Sequence, residues 1–213
     1  MTGSAAQAVF DSLVNYEQTH QPEAMRAVPL ERMQRLCARV GNPQRRFRSI
    51  LVGGTNAKGS VSAMIYAMLR AAGVPAGLYT SPHLTDARER IRFGEGTAGA
   101  DWIPEDAFTG IIARLQPVIE ELREQPQGPP TYFEVMTAAA FLAFAQQRLR
   151  VAVLEVGLGG RLDATNVADP AVSVLGPIGL DHTDVLGADE VTIAHEKAGI
   201  LRPGGWALSA AQL

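Results

Sequence analysis

Residues 48–60 read RSILVGGTNAKGS, an apolar run that ends in a glycine pair and leads into a segment carrying Lys58. A short apolar stretch bounded by glycines reads as a buried strand, and a glycine turn that opens a helix is the setting of a phosphate-binding loop. The spelling departs from the usual G-x-x-x-x-G-K-[ST] at three positions. With Lys58 as the loop lysine, the first glycine falls on Val52, the glycine before the lysine is Ala57, and the hydroxyl arrives one place late, at Ser60. A helix opening at such a turn still aims backbone N–H groups and a partial positive charge at an anion. A tight turn alone explains glycines equally well, so position leaves phosphate binding and plain chain reversal both open. Where the backbone needs a positive φ at position 57, alanine costs about 1 kcal/mol relative to glycine.

Working outward, Val61, Met64, Ile65, Met68 and Leu69 space a helix over 60–72 that closes at Gly73, and AGLYT (76–80) reads as the next strand. Strand, glycine turn, helix and strand make a βαβ unit with two parallel strands. Upstream, the pattern predicts amphipathic helices over 5–17 and 29–40, the second started by Pro29 and stopped by Gly41. Downstream it predicts a helix over 104–124 kinked at Pro117, a loop at 125–130, and a strongly apolar helix over 133–148. Strands follow at VAVLEV (151–156), AVSVLG (171–176) and WALS (206–209), with a helix over 188–200 before the last. This alternation argues for an α/β fold with a mostly parallel sheet flanked by helices. The chain stops soon after its last strand, and a parallel sheet needs both faces covered, so a truncated fold or a completing chain is expected.

With 213 residues and 46% hydrophobic content, the chain can bury a sizeable core. A formal charge of −3 leaves no broad basic surface, which argues against nucleic acid and toward small-molecule partners. Cys37 is the single cysteine, excluding an internal disulfide and fitting a reducing, cytoplasmic setting. No targeting segment or membrane span is expected. Of the 19 basic residues, only Lys58 and Lys197 are lysines. Coding bias explains arginine wherever charge alone matters, which makes the surviving amines informative, since a guanidinium is neither a compact point charge nor a primary amine.

In an open α/β sheet, ligands collect beyond the carboxyl ends of the strands. There the chain places GGTNAKGS, TSPHL, GLGGRLDATN and GLDHTD in turn. Glu155 ends an apolar strand and should meet a cation there, either Arg161 or a metal. Asp181 and His182 lie on the next exit loop, where an imidazole could ligate a divalent ion. Ser81 gains meaning as a ligand beside Mg²⁺, which prefers oxygen. Glu196 and Lys197, late in a helix, read most simply as a solvated pair.

GTNAKGS, TSPHLTDARERI, TYFEVMTAAAF, LEVGLGGRLDATN, GLDHTDVLG and EKAGI, in this order, closely resemble the amino-terminal ATPase domain of folylpolyglutamate synthase and its bifunctional form, dihydrofolate synthase, in the Mur ligase superfamily. The resemblance covers about residues 28–209. That family's loop looks like GTNGKGS, so Ala57 is the one departure. The resemblance implies a P-loop-type Mur ligase central domain occupying 1–213, apparently truncated, with a carboxy-terminal glutamate-ligase domain absent and the chain alone inactive. It implies an ATP-dependent ligase that phosphorylates a carboxylate of dihydropteroate or a folate and lets the amine of L-glutamate displace phosphate. Gly54, Thr55, Asn56, Ala57, Lys58, Gly59 and Ser60 would cradle ATP, with Lys58 on its outer phosphates. Mg²⁺ would be held by Ser60, Ser81 and Glu155, and a second ion by His182 and a carbamoylated Lys197. The pterin side would touch Leu30, Glu31, Arg32, Met33, Phe133, Glu134, Leu162, Asp163 and Ala164. Lys58, His182 and Lys197 would be catalytic, and the complete enzyme is expected to be a cytoplasmic monomer. A cell-wall ligase of the Mur type and a non-catalytic nucleotide-binding module are the alternatives.

Overall fold

The computed structural model describes residues 4–19, 21–26, 29–94 and 101–210. Six strands form one sheet: β1 (Arg48–Gly53), β2 (Ala76–Tyr79), β3 (Ile91–Arg92), β4 (Val151–Glu155), β5 (Val172–Leu175) and β6 (Trp206–Ser209). Their order is β3-β2-β4-β1-β5-β6. All neighbours are parallel except β2 and β3, where Leu78 faces Arg92 across an antiparallel pair. Strand β1 lies between β4 and β5, in a register that sets Val52 beside Glu155 and Gly53 beside Leu175. The exits of β1, β4 and β5 therefore share one end of the sheet.

Eight α-helices are described: α1 (Ser4–Asp11), α2 (Pro22–Arg26), α3 (Leu30–Arg39), α4 (Lys58–Ala71), α5 (Glu105–Arg123), α6 (Tyr132–Gln146), α7 (Thr183–Leu186) and α8 (Glu190–Ala198). One face of the sheet carries α4, whose Tyr66 packs with Val52, Leu78 and Val153. The other carries a larger core from α1, α3, α5 and α6. Helix α6 is buried on nearly every side, because Ala138, Ala139, Ala140 and Ala143 let it approach its neighbours closely while Phe141 and Phe144 fill the space beyond. Each such phenylalanine contributes roughly 1.5–3 kcal/mol of burial.

The principal strands and helices lie where the apolar spacing puts them. The first helix is shorter than its pattern suggests: Ser12 donates its hydroxyl to the Val9 carbonyl at 2.7 Å and the Asn15 side chain accepts from the Glu17 amide at 3.1 Å, so local polar groups take over the backbone bonding. The helix expected over 188–200 starts at Glu190, with Asp189 accepting from the Thr192 amide at 2.8 Å as its cap. Helix α5 runs through Pro117 as one element. Strand β3 and helices α2 and α7 are too short for any periodicity to register. Strand β6 is exposed along its length, with Trp206 at 78% and Leu208 at 56%.

Candidate active site

The loop after β1 is built on close backbone approaches. Gly54 has φ +140°, and a Cβ there would sit 3.0 Å from the Cα of Gly176, so only glycine fits between the β1 and β5 exits. The Thr55 amide donates to the Pro177 carbonyl at 2.9 Å, and the Thr55 hydroxyl donates to the Gly179 carbonyl at 3.0 Å and accepts from the Gly179 amide at 3.1 Å. These bonds tie GGTNAKGS to the segment leading into GLDHTD. Ala57, the N-cap of α4, is left-handed at φ 65°, ψ 5°, and its side chain caps nothing. The first turn of this 14-residue helix, with Lys58, Gly59 and Ser60, thus keeps N–H groups open to an anion.

Both lysines meet at a single oxygen. Lys58 Nζ donates to the Gly54 carbonyl at 3.1 Å and to the Thr55 carbonyl at 3.3 Å, and Lys197 Nζ donates to the same Gly54 carbonyl at 3.1 Å. Lys197 is 2% exposed on α8, which removes it from the solvated pair its position suggested. Burial holds its pKa below the ordinary lysine value, the Lys58 ammonium pushes the same way, and Asp181 opposes both. The amine is thereby biased toward its neutral form.

Glu155 ends β4 and is 6% exposed. Its Oε2 accepts from the Ser81 amide at 3.0 Å, and a Cβ on Gly59 would lie 3.3 Å from its Oε1, which sets the carboxylate directly against the first turn of α4. Burial raises its pKa, against the Ser81 N–H and the Lys58 charge. Arg161 is not its partner: that guanidinium holds Glu196 at 2.8 Å, because the glycines before it carry Arg161 onto α8. Glu155 has no ion-pair partner among the described residues. His182 begins α7 in a left-handed conformation, 3.5 Å from Asp181 Oδ1. Asp163, buried, accepts from the amides of Gly157 at 3.0 Å and Leu158 at 2.9 Å and from the Thr165 amide at 2.9 Å, organising the loop after β4.

A cleft of about 630 Å³ joins these groups. Lys58, Ser81, Glu155 and His182 line it together with Leu30, Met33, Phe133, Glu134, Leu162, Asp163 and Ala164. Lys197 and Gly54 do not line it, and Lys197 is linked to it through the Gly54 carbonyl that it shares with the cleft-lining Lys58. Glu31 is exposed and outside the lining. Arg32 lies behind the wall, where Nε meets Glu134 Oε2 at 2.8 Å and Nη1 donates to the Gln127 carbonyl at 3.2 Å. Gly54, Thr55, Asn56 and Ala57 on the loop, and Gly59 and Ser60 on the first turn of α4, lie outside the lining. Tyr16, Glu17 and Met25 also line it, and nothing in the sequence pattern pointed to them; Val185 and Leu186, inside the GLDHTDVLG motif but assigned no role, line it as well. Behind Glu17 stands Arg90, 1% exposed, donating from Nη1 to Glu17 Oε1 at 2.8 Å and from Nε to His83 Nδ1 at 2.9 Å.

No family model matches the chain. It is 42% identical over 176 residues to the dihydrofolate synthase/folylpolyglutamate synthase of Bacillus subtilis, covering 82% of this chain and 40% of that protein. Among solved structures, Escherichia coli FolC in complex with DHPP and ADP superposes with a TM-score of 0.76 at 40% identity, over 85% of this chain and 41% of that one. A folylpolyglutamate synthase complex with AMPPCP and folate superposes with a TM-score of 0.82 at 36% identity, over 98% and 48%. The chain thus spans less than half the length of these relatives.

Proposed function

We propose, from the premise that this chain belongs to the dihydrofolate synthase/folylpolyglutamate synthase family and matches its amino-terminal part, that residues 1–213 form the ATP-binding domain of an ATP-dependent ligase. The reaction joins L-glutamate to dihydropteroate or a folate through an acyl phosphate. One observation carries the reading: two lysine amines share the Gly54 carbonyl, and one of them, Lys58, lines a cleft that also holds the buried Glu155 carboxylate, which has no ion-pair partner among the described residues. Relatives solved with ADP or with AMPPCP and folate support both the nucleotide and the substrate class.

In this reading Gly54 to Ser60 cradle the phosphates with open backbone N–H groups, and Lys58 leaves its two carbonyls to meet the outer phosphates. The donor set fits Mg²⁺: Ser60 and Ser81 offer hydroxyl oxygen and Glu155 a carboxylate that burial makes costly without a cation. When bound, the ion neutralises charge on the transferring phosphoryl group. His182 and Lys197 are the candidates for a second ion. Carbamoylation of Lys197 needs a neutral amine, and its burial beside Lys58 favours one. Leu30, Met33, Phe133, Glu134, Leu162, Asp163 and Ala164 form the wall for the pterin side, with Arg32 fixing Glu134 from behind.

The test is intact-mass analysis after incubation with bicarbonate, Mg²⁺ and AMPPCP. A labile gain of one CO₂, lost in Lys197→Met, supports ligase machinery. Nucleotide binding with no such adduct favours a bare binding module. Competition of dihydropteroate and tetrahydrofolate for the cleft then separates the two substrates.

A further inference from the structure

At the amino end of the strands, opposite the glycine loop, Arg45, Arg46, Arg48 and Arg150 surround a second depression of about 690 Å³ with Phe47, Val74 and Val151 in its lining. Arg48 opens β1, and its amide donates to the carbonyl of Arg150, the residue just ahead of β4, at 3.1 Å, so two of the arginines flank the starts of adjacent strands. Arg45 and Arg46 close the 3-10 turn just before β1. All four side chains are exposed, and none makes an ion pair or a side-chain hydrogen bond among the described residues. Elsewhere Arg88, Arg90 and Arg202 each hold a carboxylate. Four unneutralised guanidinium groups around one depression stand out in a chain of net charge −3.

We propose that this depression binds a small, multiply charged phosphate compound of the oligophosphate class. Guanidinium forks match phosphate oxygens two at a time, and several converging on one concavity suit a ligand carrying several phosphates. The floor is rigid, because the Phe47 ring packs on Phe141 at 6.0 Å and Phe144 at 5.9 Å between centroids. Its volume suits a small molecule. A protein partner would call for exposed aromatic anchors, and Phe47 is committed to the core. A nucleic acid would call for a basic stripe beyond this depression. The length of β1 separates the two sites by roughly 15–20 Å, so the proposal stands independently of the function assigned to the first cleft.

The experiment is calorimetric titration of inorganic tripolyphosphate into the wild-type chain, Lys58→Ala, and the triple variant Arg45→Gln/Arg48→Gln/Arg150→Gln. In Lys58→Ala one salt-sensitive binding event should persist. Adding the triple substitution should weaken it at least about tenfold while leaving the melting temperature in place. Arg45→Gln/Arg46→Gln, confined to the turn, should give the same direction without touching the strands. Loss of all binding in Lys58→Ala, or equal affinity after the arginine substitutions, overturns the proposal. So does tighter binding of a decaglutamate peptide or a single-stranded oligonucleotide, which would assign the surface to a macromolecule.

Discussion

Replacing Ala57 by glycine should stabilise the protein. Ala57 sits at φ 65°, ψ 5°, at the start of α4. Left-handed backbone costs an L-residue about 1–2 kcal/mol. Glycine relieves that strain but costs about 0.5–1 kcal/mol through the greater freedom of the unfolded chain. The alanine methyl is exposed, so its loss forfeits little burial. The net expectation is a gain of about 0.5–1 kcal/mol, or roughly 1–4 °C in melting temperature for a domain of this size. Scanning calorimetry and urea unfolding of A57G read the effect, with the urea midpoint rising at constant slope. Ala57→Val supplies the opposite arm, since a β-branched residue at positive φ is strained further and should lose more than about 1 kcal/mol. An A57G protein that melts lower than wild type, with A57V tolerated, would show that residue 57 is not held left-handed.

Arg32→Met should leave the Glu134 carboxylate buried with only Thr131 to bond it, at a cost of about 3–5 kcal/mol in urea unfolding. Gly157→Ala would put a Cβ 2.5 Å from Phe133 Cζ and force that cleft-lining ring to shift, destabilising by about 1–3 kcal/mol in urea unfolding. The Cys37 thiol, 0% exposed and pushed up to about 12 by burial and Glu134, should resist alkylation at neutral pH until the chain unfolds. Lys197 has a folded pKa below its unfolded value of 10.5, so the unfolded chain binds its proton more tightly. Its contribution to stability therefore rises with pH across the window between the folded value and 10.5, and the wild-type minus Lys197→Met difference in stability should show that slope.

The parallel core was legible because each strand and helix carries its own period: SILV and VAVLE as short apolar runs, and α4 as a spaced stripe. Their shared exits followed from strand polarity, which is why Lys58, Glu155 and His182 could be read as neighbours. Burial was not legible in the same way. Lys197 and Glu196 are adjacent letters, yet one is buried on Gly54 while the other pairs with Arg161, a difference made by which side of α8 meets the loops. Glu17 lines the cleft in contact with Arg90, 73 residues away, a pairing that no local pattern encodes.

The most direct test of the account is the Mg²⁺ dependence of AMPPCP affinity in wild type, Lys58→Ala and Glu155→Gln, measured by calorimetry. Convergence of the amine and the carboxylate on one phosphate site predicts Mg²⁺-enhanced binding in wild type. Glu155→Gln should lose the enhancement, and Lys58→Ala should bind at least about tenfold more weakly. Binding of equal strength in all three proteins, indifferent to Mg²⁺, would contradict it.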